Sequence, residues 1–282
     1  MRRALLLSFA VACARPVPPV ALPAPPPAVF APSPAASLDA EAAELWARRA
    51  EPGAAREAET LYARAAALEA TGERQVALAQ ARHFRATQVD PGPEAQAAFK
   101  ACGAAGDAAL RLAAPHVELA LQHGVPAATA LAALPLEAAA ALYWRALCEL
   151  DWARGEGPTT FLSDRAELVA AFERVHALAP ALDDAGPARA LGTLYGAAPP
   201  YAGGDLTRAQ QLFEEAVAAA PGRPATRIAY ARTVGVKRQD RALFDAQLAA
   251  AAQAPSSPEA DLEKPRAAAL AAEARVLFAD QR

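Results

Sequence analysis

The chain has 282 residues and a formal net charge of −3; 54% of its residues are hydrophobic but only 6% are aromatic. That length can bury a substantial core in one large or two small domains. No basic patch and no basic run interleaved with aromatics occurs, which argues against nucleic-acid binding. Much of the apolar content is alanine, and no stretch alternates β-branched residues, so closely packed helices are expected rather than sheet.

Residues 1–13 read MRRALLLSFAVAC. Arg2 and Arg3 form a positive start, and an apolar run follows that is too short to span a bilayer, the pattern of an export signal. Ala10-Val11-Ala12-Cys13 has the small-small-cysteine order of a bacterial lipobox, so Cys13 is the expected lipidation site. Acyl chains there would hold the protein on a membrane surface. Ala14 and Arg15 follow Cys13 with no aspartate, which fits the periplasmic side of the outer membrane; plain cleavage to a soluble periplasmic product is the alternative. Residues 14–37 carry nine of the 25 prolines and almost no charge, as expected of an extended, disordered tether.

From residue 38 to 282 the pattern is helical. Helices are expected over 39–50, 54–70, 73–88, 94–123 with a break near Cys102-Gly103, 136–154, 164–178, 184–198, 206–220, 224–235, 240–253 and 258–280. Asp164-x-x-Glu167 reads as a capping box, and Ser257-Pro258 as an N-cap followed by proline at the first helical position. Asp183-Asp184 reads as a helix start. Leu191-Gly192-x2-Tyr195, then Ala209-x3-Phe213, then Pro221, is the residue order of a tetratricopeptide (TPR) repeat, with a turn about five residues longer than that repeat allows. Gly192 leaves room for a neighbouring helix, Pro199-Pro200 stops the first helix, and Gly203-Gly204 lets the chain reverse before Asp205 caps the second. Phe172-x7-Pro180 repeats the ending Phe213-x7-Pro221. The fold expected is all-α, an irregular TPR-like solenoid of helical hairpins, stacked because no pair can bury its apolar face alone.

Chemistry is sparse. No nucleophile motif, phosphate-binding loop or dinucleotide fingerprint appears, so neither an enzyme nor a cofactor is expected. His116 and His123 lie seven apart without further ligands at metal spacing. His83 and His176 read as ordinary helix-surface residues. Cys102 and Cys148 either bridge two neighbouring helices in an oxidising compartment or stay separate as buried thiols. Tyr143, Trp144, Trp152, Phe161, Tyr195 and Tyr201 cluster mid-chain. They either fill a core whose other members are small or line a concave groove or pocket.

From residue 141 to 241 the sequence resembles the T-component family of tripartite ATP-independent periplasmic (TRAP) transporters. The resemblance rests on Ala141-Leu142-Tyr143-Trp144, on Leu191-Gly192-x2-Tyr195 continuing through Pro199-Pro200-Tyr201-Ala202-Gly203-Gly204-Asp205, on Ala209-x3-Phe213-Glu214-x-Ala216, and on Gln239-Asp240-Arg241-x-Leu243-Phe244. It implies a periplasmic lipoprotein of TPR-like helices that pairs with the solute-binding protein of a TRAP transporter, forms homo-oligomers and holds a hydrophobic small molecule. Tyr143, Trp144, Tyr195, Pro199, Pro200, Tyr201, Gly203 and Gly204 are then the candidate groove residues. The competing expectation is a TPR scaffold lipoprotein that assembles envelope complexes unrelated to transport.

Overall fold

Alanine-proline pairs set the punctuation of this chain. A residue before proline is pushed out of the α region by the proline ring. Ala114 (φ −147°, ψ 65°), Ala179 (−143°, 65°) and Ala220 (−137°, 71°) all adopt the same extended cap, each at the end of a helix. The computed structural model describes residues 33–278, which leaves the export signal, Cys13 and most of the proline-rich stretch outside the described residues.

Among the described residues there are fourteen α-helices and no strand. They are α1 (Pro34–Ala47), α2 (Ala54–Leu68), α3 (Gly72–Ala86), α4 (Pro93–Ala113), α5 (Pro115–Gln122), α6 (Ala127–Leu131), α7 (Ala139–Glu156), α8 (Pro158–Leu178), α9 (Leu182–Ala197), α10 (Leu206–Ala219), α11 (Pro224–Tyr230), α12 (Arg241–Ala252), α13 (Pro258–Ala272) and α14 (Ala274–Leu277). Helices α1/α2, α3/α4, α7/α8, α9/α10 and α11/α12 pair as hairpins, and α13 packs on α11 and α12. The all-α hairpin stack expected from sequence is the fold observed. No described helix is long and apolar enough to cross a membrane.

Several boundaries differ from expectation, each for a local reason. Helix α1 starts at Pro34, inside the stretch read as tether, because the Ser33 hydroxyl accepts the Ala36 amide at 3.1 Å and proline occupies the first turn. Helix α4 runs unbroken through Cys102-Gly103 and stops at Ala114, where Pro115 forces the break. Helix α8 begins at Pro158 after Gly157, so Asp164 and Glu167 sit mid-helix and form no capping box. The short α6 was not foreseen, and the last helix divides at Glu273. Ser257 and Asp205 cap as read: Ser257 accepts the Ala260 amide, and Asp205 accepts those of Thr207 and Arg208 at 2.9 Å.

The core is small residues punctuated by a few large ones. Alanines such as Ala58, Ala79, Ala105, Ala109 and Ala216 are fully or almost fully buried where helices meet. Gly192 lies 3.1 Å, measured from where a Cβ would stand, from the Phe213 ring, which fills the space it leaves. Phe213 in turn stacks on Tyr230 with ring centres 5.4 Å apart. Phe172 and Tyr143 meet edge-on between α7 and α8. Phe244 and Phe278 do the same at the C-terminal end, under α13.

Cys102 of α4 and Cys148 of α7 are joined in a disulfide, with Cα atoms 5.8 Å apart. It clips the second hairpin to the third. Closing a 46-residue loop in the unfolded chain corresponds to roughly 4 kcal/mol by chain entropy. Reduction is therefore expected to lower the unfolding free energy by roughly 2–4 kcal/mol. Urea titration with and without dithiothreitol measures this, and thiol-labelling with peptide mapping of the oxidised protein should find both cysteines blocked.

Candidate functional site

The inward faces of α3, α7, α9, α11 and α13 line a partly open cavity of about 310 Å³, to which Trp46 of α1 also contributes. One wall is aromatic and hydrogen-bonding: Trp46, Gln80, Phe84, Trp144 and Leu147. The facing wall is charged: Asp183, Arg189, Arg223, Glu259, Glu263 and Arg266. The volume lies at the lower end of the range for small-molecule sites, about 300–1,000 Å³.

The charged wall is organised by an unusual turn. Asp183, Asp184 and Ala185 have φ of 50°, 53° and 58°, one left-handed turn preceding the right-handed part of α9. Such a conformation costs an L-residue about 1–2 kcal/mol, and aspartate tolerates it better than most. Arg189, one turn further on, holds it in place by donating to the carbonyls of Asp183 and Asp184. The turn aims the Asp183 carboxylate inward, where it accepts from the Tyr143 hydroxyl at 2.5 Å and from Arg189 at 2.6 Å. Arg223 lies 3.6 Å from the same carboxylate, 3.1 Å from Asp184 and 3.3 Å from Glu263. Glu263, from α13, also accepts the Ala225 amide at 2.8 Å, so a side chain of one helix caps the N-terminus of α11. Gly186 makes room for this arrangement: a Cβ there would meet the Tyr143 hydroxyl and lie 2.7 Å from the ring carbon that bears it.

An ion pair and a hydrogen bond also join α13 to the first hairpins beside the cavity. Arg49, stacked on Trp46, donates to Glu259 of α13 at 2.6 Å. Arg266 donates to the Thr87 carbonyl. On the opposite wall His83 lies 2.9 Å from Asp151 and packs beside Trp144. His83 is thus a cavity residue, contrary to its reading as ordinary helix surface; its partner is 68 positions away in sequence, which is why spacing could not reveal it.

Burial and neighbouring charges shift several of these groups. Burial alone would raise the Asp183 carboxyl, but Arg189, Arg223 and the Tyr143 hydroxyl outweigh it and hold its pKa below the ordinary 3.8. Burial likewise opposes the ionised form of Asp151, and the His83 hydrogen bond overcomes it. Tyr143 is pushed well above 10 by burial and by the Asp183 charge. Glu263 goes the other way: its burial outweighs Arg223 and the Ala225 amide, and its pKa is raised. The Arg223 Nε is buried without a hydrogen-bond partner.

The residues singled out from sequence fall into two places. Trp144 lines the cavity and Tyr143 lies directly behind it, anchoring Asp183. Tyr195, Pro199, Pro200, Tyr201, Gly203 and Gly204 line no part of it. They form the α9–α10 turn on another face, where Tyr195 donates to Glu173 and Tyr201 is 88% exposed. Trp152 lies under Lys100 and Phe161 is in the core. His116 contacts the Ala133 carbonyl and His123 caps α5, each apart from the cavity. Sequence reasoning missed Asp183, Arg189, Arg223 and Glu263; the one available signal was Asp183-Asp184 ahead of Gly186-Pro187, two acids at a forced change of direction.

Asp183→Asn keeps a residue type at ease with positive φ and removes only the charge. Breaking this buried pair is expected to lower stability at neutral pH by about 3–5 kcal/mol. Because the folded pKa is depressed, the folded state binds fewer protons than the unfolded chain, and the Asp183 contribution is lost as pH falls through the folded value. The variant should therefore show a flatter loss of stability below about pH 4, measured by urea unfolding at stepped pH.

No curated protein matches the chain. Residues 95–278, which include every helix from α5 onward and nearly all of α4, match the TRAP transporter T-component. With well over half its length matched, this chain belongs to the TRAP transporter T-component family.

Proposed function

We propose that this protein is a lipid-anchored periplasmic accessory component of a TRAP-type transport system, which holds a small solute in its central cavity and binds the system's solute-binding subunit. It acts by binding and does no bond chemistry. The observation that carries this reading is the cavity itself, lined by the inward faces of the hairpins in a member of a transport family. Its two walls favour an amphipathic solute: an apolar or flat part against Trp46, Phe84 and Trp144, and a polar part toward Arg223 and Arg266. The disulfide between Cys102 and Cys148 supports an oxidising compartment, and the lipobox ending in Cys13 supports the anchor.

Purified from its native envelope, the full chain is expected to carry a small molecule detectable by native mass spectrometry and to bind the solute-binding subunit in biolayer interferometry. Trp144→Ala should reduce small-molecule occupancy at least tenfold. An empty wild-type protein that also ignores the solute-binding subunit would overturn the reading. For the anchor, Cys13→Ala is expected to abolish palmitate incorporation and move the protein from the membrane fraction to the soluble periplasm; unchanged fractionation would contradict it.

A further inference from the structure

One join in the lining of the cavity is made without apolar packing. Among the described residues, the main core cluster runs from α1 through α10. A second gathers residues of α11 to α14, among them Phe244, Ala267, Leu270 and Phe278, and a third, around Phe213 and Tyr230, joins α10 to α11. No residue of α1 or α3 belongs to the second cluster, and none of α13 belongs to the first. Helix α13 packs on α11 and α12. It also meets α1 and the end of α3 across the cavity edge, because Glu259, Leu262 and Arg266 line the same space as Trp46, Phe84 and Thr87. Leu262 packs into none of the three clusters.

Two polar links cross this seam among the described residues. Arg49, just beyond α1, donates to Glu259 in the first turn of α13. Arg266 donates to the Thr87 carbonyl, just beyond α3, and lies 3.5 Å from the Gln88 amide oxygen. The partners are 210 and 179 positions apart, so the seam is where the far ends of the stack meet, whereas a solenoid is otherwise held repeat to neighbouring repeat. Apolar burial ties α13 to α11 and α12 along a face, but an ion pair reached by water contributes little and is screened by salt. The Arg49 and Glu259 side chains are 16% and 18% exposed. Parting α13 from α1 and α3 therefore breaks few contacts. Parting the hairpins elsewhere would uncover fully buried residues such as Ala79, Leu142 and Phe172.

We propose that this seam is the portal of the cavity: α13 and the first hairpins separate, breaking Arg49–Glu259 and Arg266–Thr87, to admit and release the solute. The proposal rests on the solute-binding reading above and adds the route into the site. Side chains on both edges of the seam line the cavity, so separation opens it to solvent directly. Each edge keeps its own anchors when the links break. Arg49 remains stacked on Trp46 and bonded to the Trp46 carbonyl. Glu263 holds α13 to Arg223 and the Ala225 amide, so α13 moves together with α11. Elements that open for ligands are drawn from the least stable contacts of a fold, and these are the contacts of that kind around the cavity.

The test places a thiol in the cavity on α9, which forms neither edge of the seam, by Thr193→Cys in the full chain. The probe is N-ethylmaleimide, small and uncharged, and its addition at position 193 is followed in time by peptide mapping. Labelling then reports how often the cavity opens. Arg49→Glu sets two acids face to face and is expected to speed labelling roughly fivefold or more. Glu259→Gln should act in the same direction, and the exchanged pair, Arg49→Glu with Glu259→Arg, should return the rate toward that of the parent. Added sodium chloride should speed labelling of the parent. Asp245→Ala, which removes an ion pair within α12, should leave the rate unchanged. An unchanged far-ultraviolet circular dichroism spectrum will show that each variant is folded. Equal rates in the parent and in both single seam variants would overturn the portal, as would an equal gain from Asp245→Ala, the mark of general loosening. If the rate ignores the seam while the native protein carries a small molecule, the binding reading stands and the portal falls. If the rate follows the seam while the native protein is empty, the portal stands and the binding reading falls.

Discussion

A single carboxylate ties the inner wall of this protein together. Asp183 is reached by Tyr143 from α7, by Arg189 from its own helix and by Arg223 from the start of α11; Arg223 carries the link on to Glu263 of α13. Side chains from four successive inner helices thus converge where the solenoid curves round its cavity. Each group is mostly buried, with 11–15% of the Asp183, Arg189, Arg223 and Glu263 side chains exposed. Such a network is not an efficient source of stability, because taking charges out of water opposes what their attraction returns. Its value lies in geometry: apolar alanine contacts let helices slide, whereas the acceptors of one carboxylate fix where four elements meet.

The left-handed turn at Asp183 follows from the same demand. A right-handed start to α9 would direct the carboxylate elsewhere; three residues at positive φ aim it at Tyr143 instead. That conformation is unfavourable in isolation and persists because Arg189 holds both turn carbonyls and the carboxylate together. Gly186 and Pro187 then begin the right-handed helix, the one leaving room for the tyrosine and the other fitting a first helical turn.

What could be read in the sequence was what is encoded locally. The TPR-like order around Leu191, Phe213 and Pro221, the Asp205 and Ser257 caps and the all-helical class all rest on residues within one or two turns of each other. The break at Ala114 was equally local but was misassigned to Cys102-Gly103, because a glycine inside a helix is tolerated when its neighbours pack, whereas proline dictates the residue before it. Of the pair Tyr143-Trp144, read from sequence as either core or groove, Tyr143 is core and Trp144 lines the cavity. The charges opposite gave no such sign, since Arg223 and Glu263 look like solvated helix residues until the curvature of the stack brings them within 3.3 Å. Long-range pairs such as Arg49 with Glu259, separated by 210 positions, have no local signature at all.

The two walls of the cavity draw unequally on the matched segment. The family match begins at residue 95, so the charged wall, built on α9, α11 and α13, lies inside it. The aromatic and hydrogen-bonding wall draws on Trp46, Gln80, His83 and Phe84, from α1 and α3, which precede the matched segment, and on Trp144 and Leu147 of α7, which lie inside it. Because α13 reaches those first helices through Arg49–Glu259 and Arg266–Thr87, the earlier hairpins are part of the enclosure and cannot be regarded as an appendage. The shared segment supplies a charged frame whose positions are mutually locked, so substitution there disturbs the fold. The preceding helices are tied into the same lining, His83 through Asp151 and Trp46 through Arg49 and Glu259, so loss of either contact is felt on both sides of the cavity.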